Sequence, residues 1–230
     1  MSITTASFNA YISRLSSSMK ESGQFGTARN YVRAKNSFTR FLKSSQTGNA
    51  EINEKLICAY SDYLIGLGLV RNTTSFYMRI LRSAYNKAVS EGLGEQTMPF
   101  RRVYTGVDTT RKRALNENDI RKLLKMNLHS DKNMELARDL FAFSYFTRGM
   151  SFVDMSFLKR KDVGNGAVTY IRRKTGQKMS IKSEPCIQKI ISKYATGKRE
   201  YIFPLLTSTD PQKAYREYES ALSWYNRTLK

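Results

Sequence analysis

Histidine is nearly absent from this chain: His129 is the only one in 230 residues, and cysteine is confined to Cys58 and Cys186. A structural zinc site takes about four soft ligands, and one histidine with two cysteines cannot supply them, so no metal is expected. The two cysteines lie far apart, inside amphipathic segments. They read as buried thiols of a reducing compartment, not as a disulfide framework. No apolar run approaches the roughly 20 residues of a membrane span. The polar stretch 1–19 lacks the continuous apolar core of a signal peptide. A soluble, cytoplasmic protein is expected, with no membrane partner. There is no internal repeat and no low-complexity segment.

Acidic residues are also scarce: 19 Asp+Glu against 39 Lys+Arg leaves a formal charge of +20. Such an excess repels itself in a compact state and usually answers an acidic partner. Nucleic acid leads that list; an anionic membrane or a merely solvated basic surface follows. Hydrophobic residues at 40% are ample for one large or two small cores.

The first hundred residues read as a four-helix bundle. Phe8, Tyr11, Ile12 and Leu15 share one face of a helix over 5–18. Tyr31, Ala34, Phe38, Phe41 and Leu42 recur at steps of three and four over 28–44. A third helix over 53–67 points Leu56, Tyr60, Tyr63 and Leu67 inward. A fourth follows Arg71, with Asn72 or Thr73 as its cap, and stops at Gly92.

Residues 99–113 have no periodicity and concentrate Arg101, Arg102, Arg111, Lys112 and Arg113. They read either as a disordered basic linker or as a strap along a phosphate backbone. Order resumes with a helix over 117–126, where Asn116 can cap and Leu115 can staple onto Ile120. An apolar helix over 134–147 and a short one over 151–158 follow. Two strands, 167–172 and 178–183, are joined through Gly176. Helices over 184–194 and 211–230 complete the pattern. The expected fold is mainly α with a small antiparallel β-sheet. The expected domains are a helical one over 1–104, a linker over 105–113, and a second over 114–230.

Arg148, where an apolar helix stops, and Lys174, at a hairpin tip, are separated in sequence yet can point at one place. Two converging cations suit a phosphate, arginine as a bidentate fork and lysine as a compact charge and proton donor. Each has a plainer reading. An arginine in a last helical turn complements the dipole, and a turn lysine is usually just solvated. Asp154 reads as a surface acid or as a brace for Arg148. Asp154 and Asp162 have no carboxylate cluster around them to hold two ions, which disfavours a metal-dependent nuclease.

The order of these motifs, TRGMSFVDMSFL and then YIRRKTGQKMSI, resembles the tyrosine recombinases, or phage-type integrases, particularly those of bacterial mobile elements. The bundle, the basic linker and the segment KRALNENDIRKLL extend the resemblance over nearly the whole chain. It implies a SAM-like core-binding domain followed by the first part of a catalytic domain. It makes Arg148 the first catalytic arginine, Lys174 the hairpin lysine and Asp154 the supporting acid. Arg101, Arg102, Arg111, Lys112, Arg113, Arg172, Arg173 and Lys178 become the candidate DNA contacts.

The family also needs a His-x-x-Arg box and a later nucleophilic tyrosine. His129 precedes Arg148 and is followed by Ser130-Asp131-Lys132, so it is not that box. None of Tyr215, Tyr218 and Tyr225 is preceded by one, and no nucleophile is assigned. The expectation is a catalytically incomplete recombinase fragment, monomeric where the full family member is a tetramer on double-stranded DNA. Whether it is an enzyme is left open, and the alternative is a DNA-binding protein that regulates or assists recombination without cutting. The family mechanism runs through a 3′-phosphotyrosyl link that stores the bond energy, so no cofactor is expected.

Overall fold

The computed structural model describes residues 2–111 and 114–230. The chain divides into two compact units, Met1–Lys112 and Arg113–Lys230. The fold is mainly helical with one small antiparallel sheet.

The first unit packs four helices: α1 (Thr5–Glu21), α2 (Phe25–Ser44), α3 (Glu54–Gly66) and α4 (Arg71–Ser90). Thr4 and Ser7 form a capping box at the start of α1, and the Asn53 side chain accepts the Leu56 N–H at the start of α3. These caps satisfy amides that have no intrahelical partner. Phe8, Phe38, Tyr60 and Tyr85 are almost wholly buried at the centre. The Phe38 and Tyr60 rings meet edge to face at 5.0 Å, an arrangement that adds to plain area burial.

Three expectations change here. Leu67 is 58% exposed, because α3 ends at Gly66 and the chain turns before that position can face inward. Both cysteines are free but only half-buried. The residue before α4 is Val70, with no side-chain cap. Asn72 lies inside the helix, and its amide is spent on the segment that follows the bundle: Nδ2 donates to the Asp108 carbonyl at 3.0 Å and Oδ1 accepts the Asp108 N–H at 2.8 Å.

That segment is therefore structured well beyond Pro99. Phe100 is buried against Tyr85, with ring centroids 6.1 Å apart. The Ser75 hydroxyl donates to the Gly106 carbonyl, and the Arg71 guanidinium lies 3.8 Å over the Tyr104 ring. A Cβ on Gly106 would stand 2.7 Å from that ring, so a side chain there would have to displace Tyr104.

The second unit begins with α5 (Glu117–Lys125), capped by Asn116 as expected, and α6 (Lys132–Phe146), capped by Asp131. Leu115 is 54% exposed and staples nothing into a core, since α5 itself buries no residue. After α6 come α7 (Phe152–Ser156), a 3-10 turn (Arg160–Asp162), and strands β1 (Val163–Gly164), β2 (Ala167–Ile171) and β3 (Lys178–Lys182). The strands pair antiparallel in the order β1-β2-β3, with Val168 opposite Ile181 and Ile171 opposite Lys178. Val168, Tyr170 and Ile181 face inward, the period of two that a half-buried sheet requires. Helices α8 (Pro185–Tyr194) and α9 (Pro211–Thr228) close the unit over Leu140, Phe143, Ile187, Phe203 and Tyr225.

A buried charge network ties α6 to α8. Asp139 accepts from Lys193 Nζ at 2.6 Å, Tyr194 Oη at 2.8 Å and Arg138 Nε at 2.9 Å. Burial alone would raise its carboxyl, but these hydrogen bonds outweigh that and hold it below the ordinary aspartate value. Among the described residues no helix is long and apolar enough to cross a membrane.

Candidate functional site

Arg148 follows Thr147, the C-cap of α6, and sits at φ +58; Gly149 follows at φ +86. Two consecutive left-handed residues reverse the chain, and the Arg148 and Gly149 N–H groups close on the carbonyls of Tyr145 and Ser144. Glycine is the usual choice at such a position, since a Cβ there crowds the following carbonyl. The reversal puts Arg148 in the open. It is exposed and makes no ion pair among the described residues.

Immediately after it, Ser151 caps α7 and donates its hydroxyl to Asp154 Oδ2 at 2.6 Å. Asp154 is only 3% exposed, so it is not a surface acid. Nor does it brace Arg148. Its Oδ1 accepts the backbone N–H of Arg173 at 2.9 Å, inside the turn between β2 and β3. That turn is closed by the Arg172 carbonyl, which accepts from the N–H groups of Thr175 and Gly176, with Gly176 at φ +71. The Arg173 guanidinium stacks 3.8 Å over the Phe157 ring, just past α7. A buried carboxylate and a cation–π contact therefore pin the hairpin to the segment that leaves Arg148. Lys174 projects from the pinned turn, exposed and without an ion pair.

The other sequence-predicted cations are distributed unevenly. Arg172 is half-buried, while Arg173 and Lys178 are exposed. Arg101 and Arg111 are exposed; Arg102 is paired with Glu54 at 3.0 Å. Lys112 and Arg113 lie outside the described residues. The outward side of α4 adds Arg79, Arg82 and Lys87, which line one open cleft. The helix contains no acid from Arg71 to Ser90.

The C-terminal tyrosines occupy an aromatic layer. Tyr225 is buried and stacked on Phe152 at 4.6 Å, and burial pushes its hydroxyl up to about 12. Tyr218 leans on Phe152 and Phe157, and Tyr215 on Tyr218. Among the described residues no group of three or more His, Cys, Asp or Glu could hold a metal.

Residues 7–103 match the phage integrase SAM-like domain. Three solved structures share the fold over almost the whole chain. A lambda integrase (residues 75–356) dimer bound to a COC′ core site is 18% identical, with a TM-score of 0.64 over 97% of this chain and 82% of that one. Lambda integrase (residues 75–356) bound to DNA gives 18% and 0.64, over 98% and 79%. A lambda integrase tetramer bound to a Holliday junction gives the same identity and TM-score, over 97% and 67%. No curated protein matches the sequence. Residues 7–103 thus match a phage integrase SAM-like domain, and the chain shares the fold of lambda integrase over almost its whole length.

Proposed function

We propose that the chain binds duplex DNA as an integrase of the tyrosine-recombinase class and engages a backbone phosphate with Arg148 and Lys174. The observation that carries this is the conformation of Arg148. A left-handed arginine is more costly than glycine at the same place, and an outlier of this kind is held where its side chain has work to do. Lys174 offers the second charge from a turn that Asp154 holds in place. The charge of +20 supplies the attraction, and the lambda integrase structures that share this fold are complexes with DNA.

In the reaction of the class, a tyrosine oxygen attacks phosphorus, the bond to the 5′ oxygen breaks, and a 3′-phosphotyrosyl link forms. Arg148 would stabilise charge growing on the non-bridging oxygens, and Lys174 would give its proton to the departing 5′ oxygen. The sequence contains no His-x-x-Arg box, and the buried Tyr225 is no free nucleophile. We therefore assign this chain binding and phosphate engagement without completed cleavage. The stacked aromatic layer of α9 also favours the second reading, a recombinase-like protein that occupies sites without cutting.

Binding to duplex DNA followed across a salt titration tests the first part. The expected result is a steep linear fall of log affinity with log salt; a flat response would exclude the electrostatic reading. Trapping on a suicide substrate tests the second. No covalent adduct is expected from this chain, and an adduct would show that one of its tyrosines does the chemistry.

A further inference from the structure

We infer that Arg173 is a positioning residue that aims Lys174, and not itself a phosphate contact. The inference rests on the phosphate-engagement reading above and names what holds its second cation in place. The turn shapes itself by internal bonds: the Arg172 N–H donates to the Gln177 carbonyl at 2.8 Å, and the Arg172 carbonyl accepts from Thr175 and Gly176. Those bonds fix the form of the turn but not its tilt against the rest of the unit. Arg173 supplies that link twice over. Its backbone N–H reaches Asp154 at 2.9 Å, and its guanidinium lies 3.8 Å over the Phe157 ring. Asp154 and Phe157 stand three residues apart, within α7 and at its C-cap, a spacing that makes helical side chains neighbours. One side of a short helix thus grips both the main chain and the side chain of the same residue.

An exposed basic turn would offer Arg173 to DNA as readily as Lys174, were it not for what lies under the guanidinium. Phe157 is itself fixed. Its ring meets Tyr201 edge to face at 6.1 Å and tilts against Tyr218 of α9 at 6.0 Å. Tyr218 leans on Phe152, which stacks on the buried Tyr225 at 4.6 Å. The platform under Arg173 is therefore part of the aromatic layer that seats α9. A planar guanidinium stacks on such a ring and keeps its orientation there, which the compact ammonium of a lysine cannot do. Arginine sets the geometry at this point, and the adjacent lysine carries the charge outward.

The test is duplex DNA binding across a salt titration, with Lys174→Ala introduced into the unchanged chain and into Phe157→Leu, Phe157→Tyr and Arg173→Lys. In the unchanged chain, Lys174→Ala should weaken binding about tenfold and lower the slope of log affinity against log salt by about one. Arg173→Lys keeps the charge and removes the flat stack, so by itself it should lower the slope by about one, as Phe157→Leu should. In either background, adding Lys174→Ala should cost only about twofold. Phe157→Tyr retains a ring and should retain the original slope and the tenfold cost. Arg173→Lys alters an exposed side chain, which keeps the test independent of how well Phe157→Leu folds. An unchanged slope in Arg173→Lys, or a tenfold cost of Lys174→Ala in every background, would overturn the inference and leave phosphate engagement intact. No effect of Lys174→Ala in the unchanged chain would overturn the phosphate reading and the inference with it.

Discussion

The buried carboxylate of Asp154 accepts the backbone N–H of Arg173 at 2.9 Å, so a helix next to one candidate catalytic cation holds the turn that carries the other. Asp154→Ala strands that amide and the Ser151 hydroxyl. The loss should be about 2 kcal/mol, the range for hydrogen bonds to a charged group. Urea unfolding reads the stability, and faster hydrogen exchange at the Arg173 amide reads the loosened turn. Unchanged exchange would show that the hairpin holds itself.

Arg148 stands where glycine is preferred, at φ +58. Arg148→Gly should stabilise the protein by about 0.5–1 kcal/mol, the relief of left-handed strain less glycine's added chain entropy. DNA affinity should fall in the same variant. A loss of stability would mean that the arginine side chain contributes to packing.

The Asn72 amide holds Asp108 by two hydrogen bonds. Replacing it with alanine should free the strap and cost about 1–2 kcal/mol. Limited trypsin digestion should then cut faster at Arg111, since released backbone is cleaved first. An unchanged cleavage rate would assign the strap's order to Phe100 alone.

The Asp139 carboxyl is depressed in the folded state, with burial opposing and its hydrogen bonds prevailing; hydrogen bonding to Lys193 depresses Glu135. Groups lowered on folding add stability above the ordinary carboxylate range of about 4 and lose it as pH falls through the folded values. Stability of the wild type should therefore decline steeply below about pH 4, and Asp139→Asn should flatten that decline. Because Asp139 is only 7% exposed, the same substitution should cost about 2–4 kcal/mol at neutral pH. A denaturation series from pH 3 to 7 measures both.

Tyr225 is buried against Phe152, and its raised hydroxyl reflects burial alone. Tyr225→Phe should therefore change stability by less than about 0.5 kcal/mol, whereas Tyr225→Ala should cost about 3 kcal/mol or more. Thermal melts distinguish the two. A large effect of the phenylalanine would reveal a role for the hydroxyl.

The sequence by itself determined the helices and the two longer strands, because their signals are local, whereas the two-residue β1 left no pattern to read. Apolar spacing of three and four marked α2 and α6, alternation marked β2 and β3, and Asn116 announced its own helix start. It also placed Arg148 at a helix end and Lys174 in a turn, since both follow from where a periodic pattern stops. Tertiary structure alone decided the partners. Asp154 pairs with an amide on a hairpin nineteen residues away, not with Arg148. Asn72 binds Asp108 instead of capping α4. The basic stretch after the bundle is ordered as far as Asp108 by Tyr85, Ser75 and Asn72. Periodicity states which way a side chain faces along its own element. Which buried polar group it meets depends on how separate elements pack, and no local pattern records that.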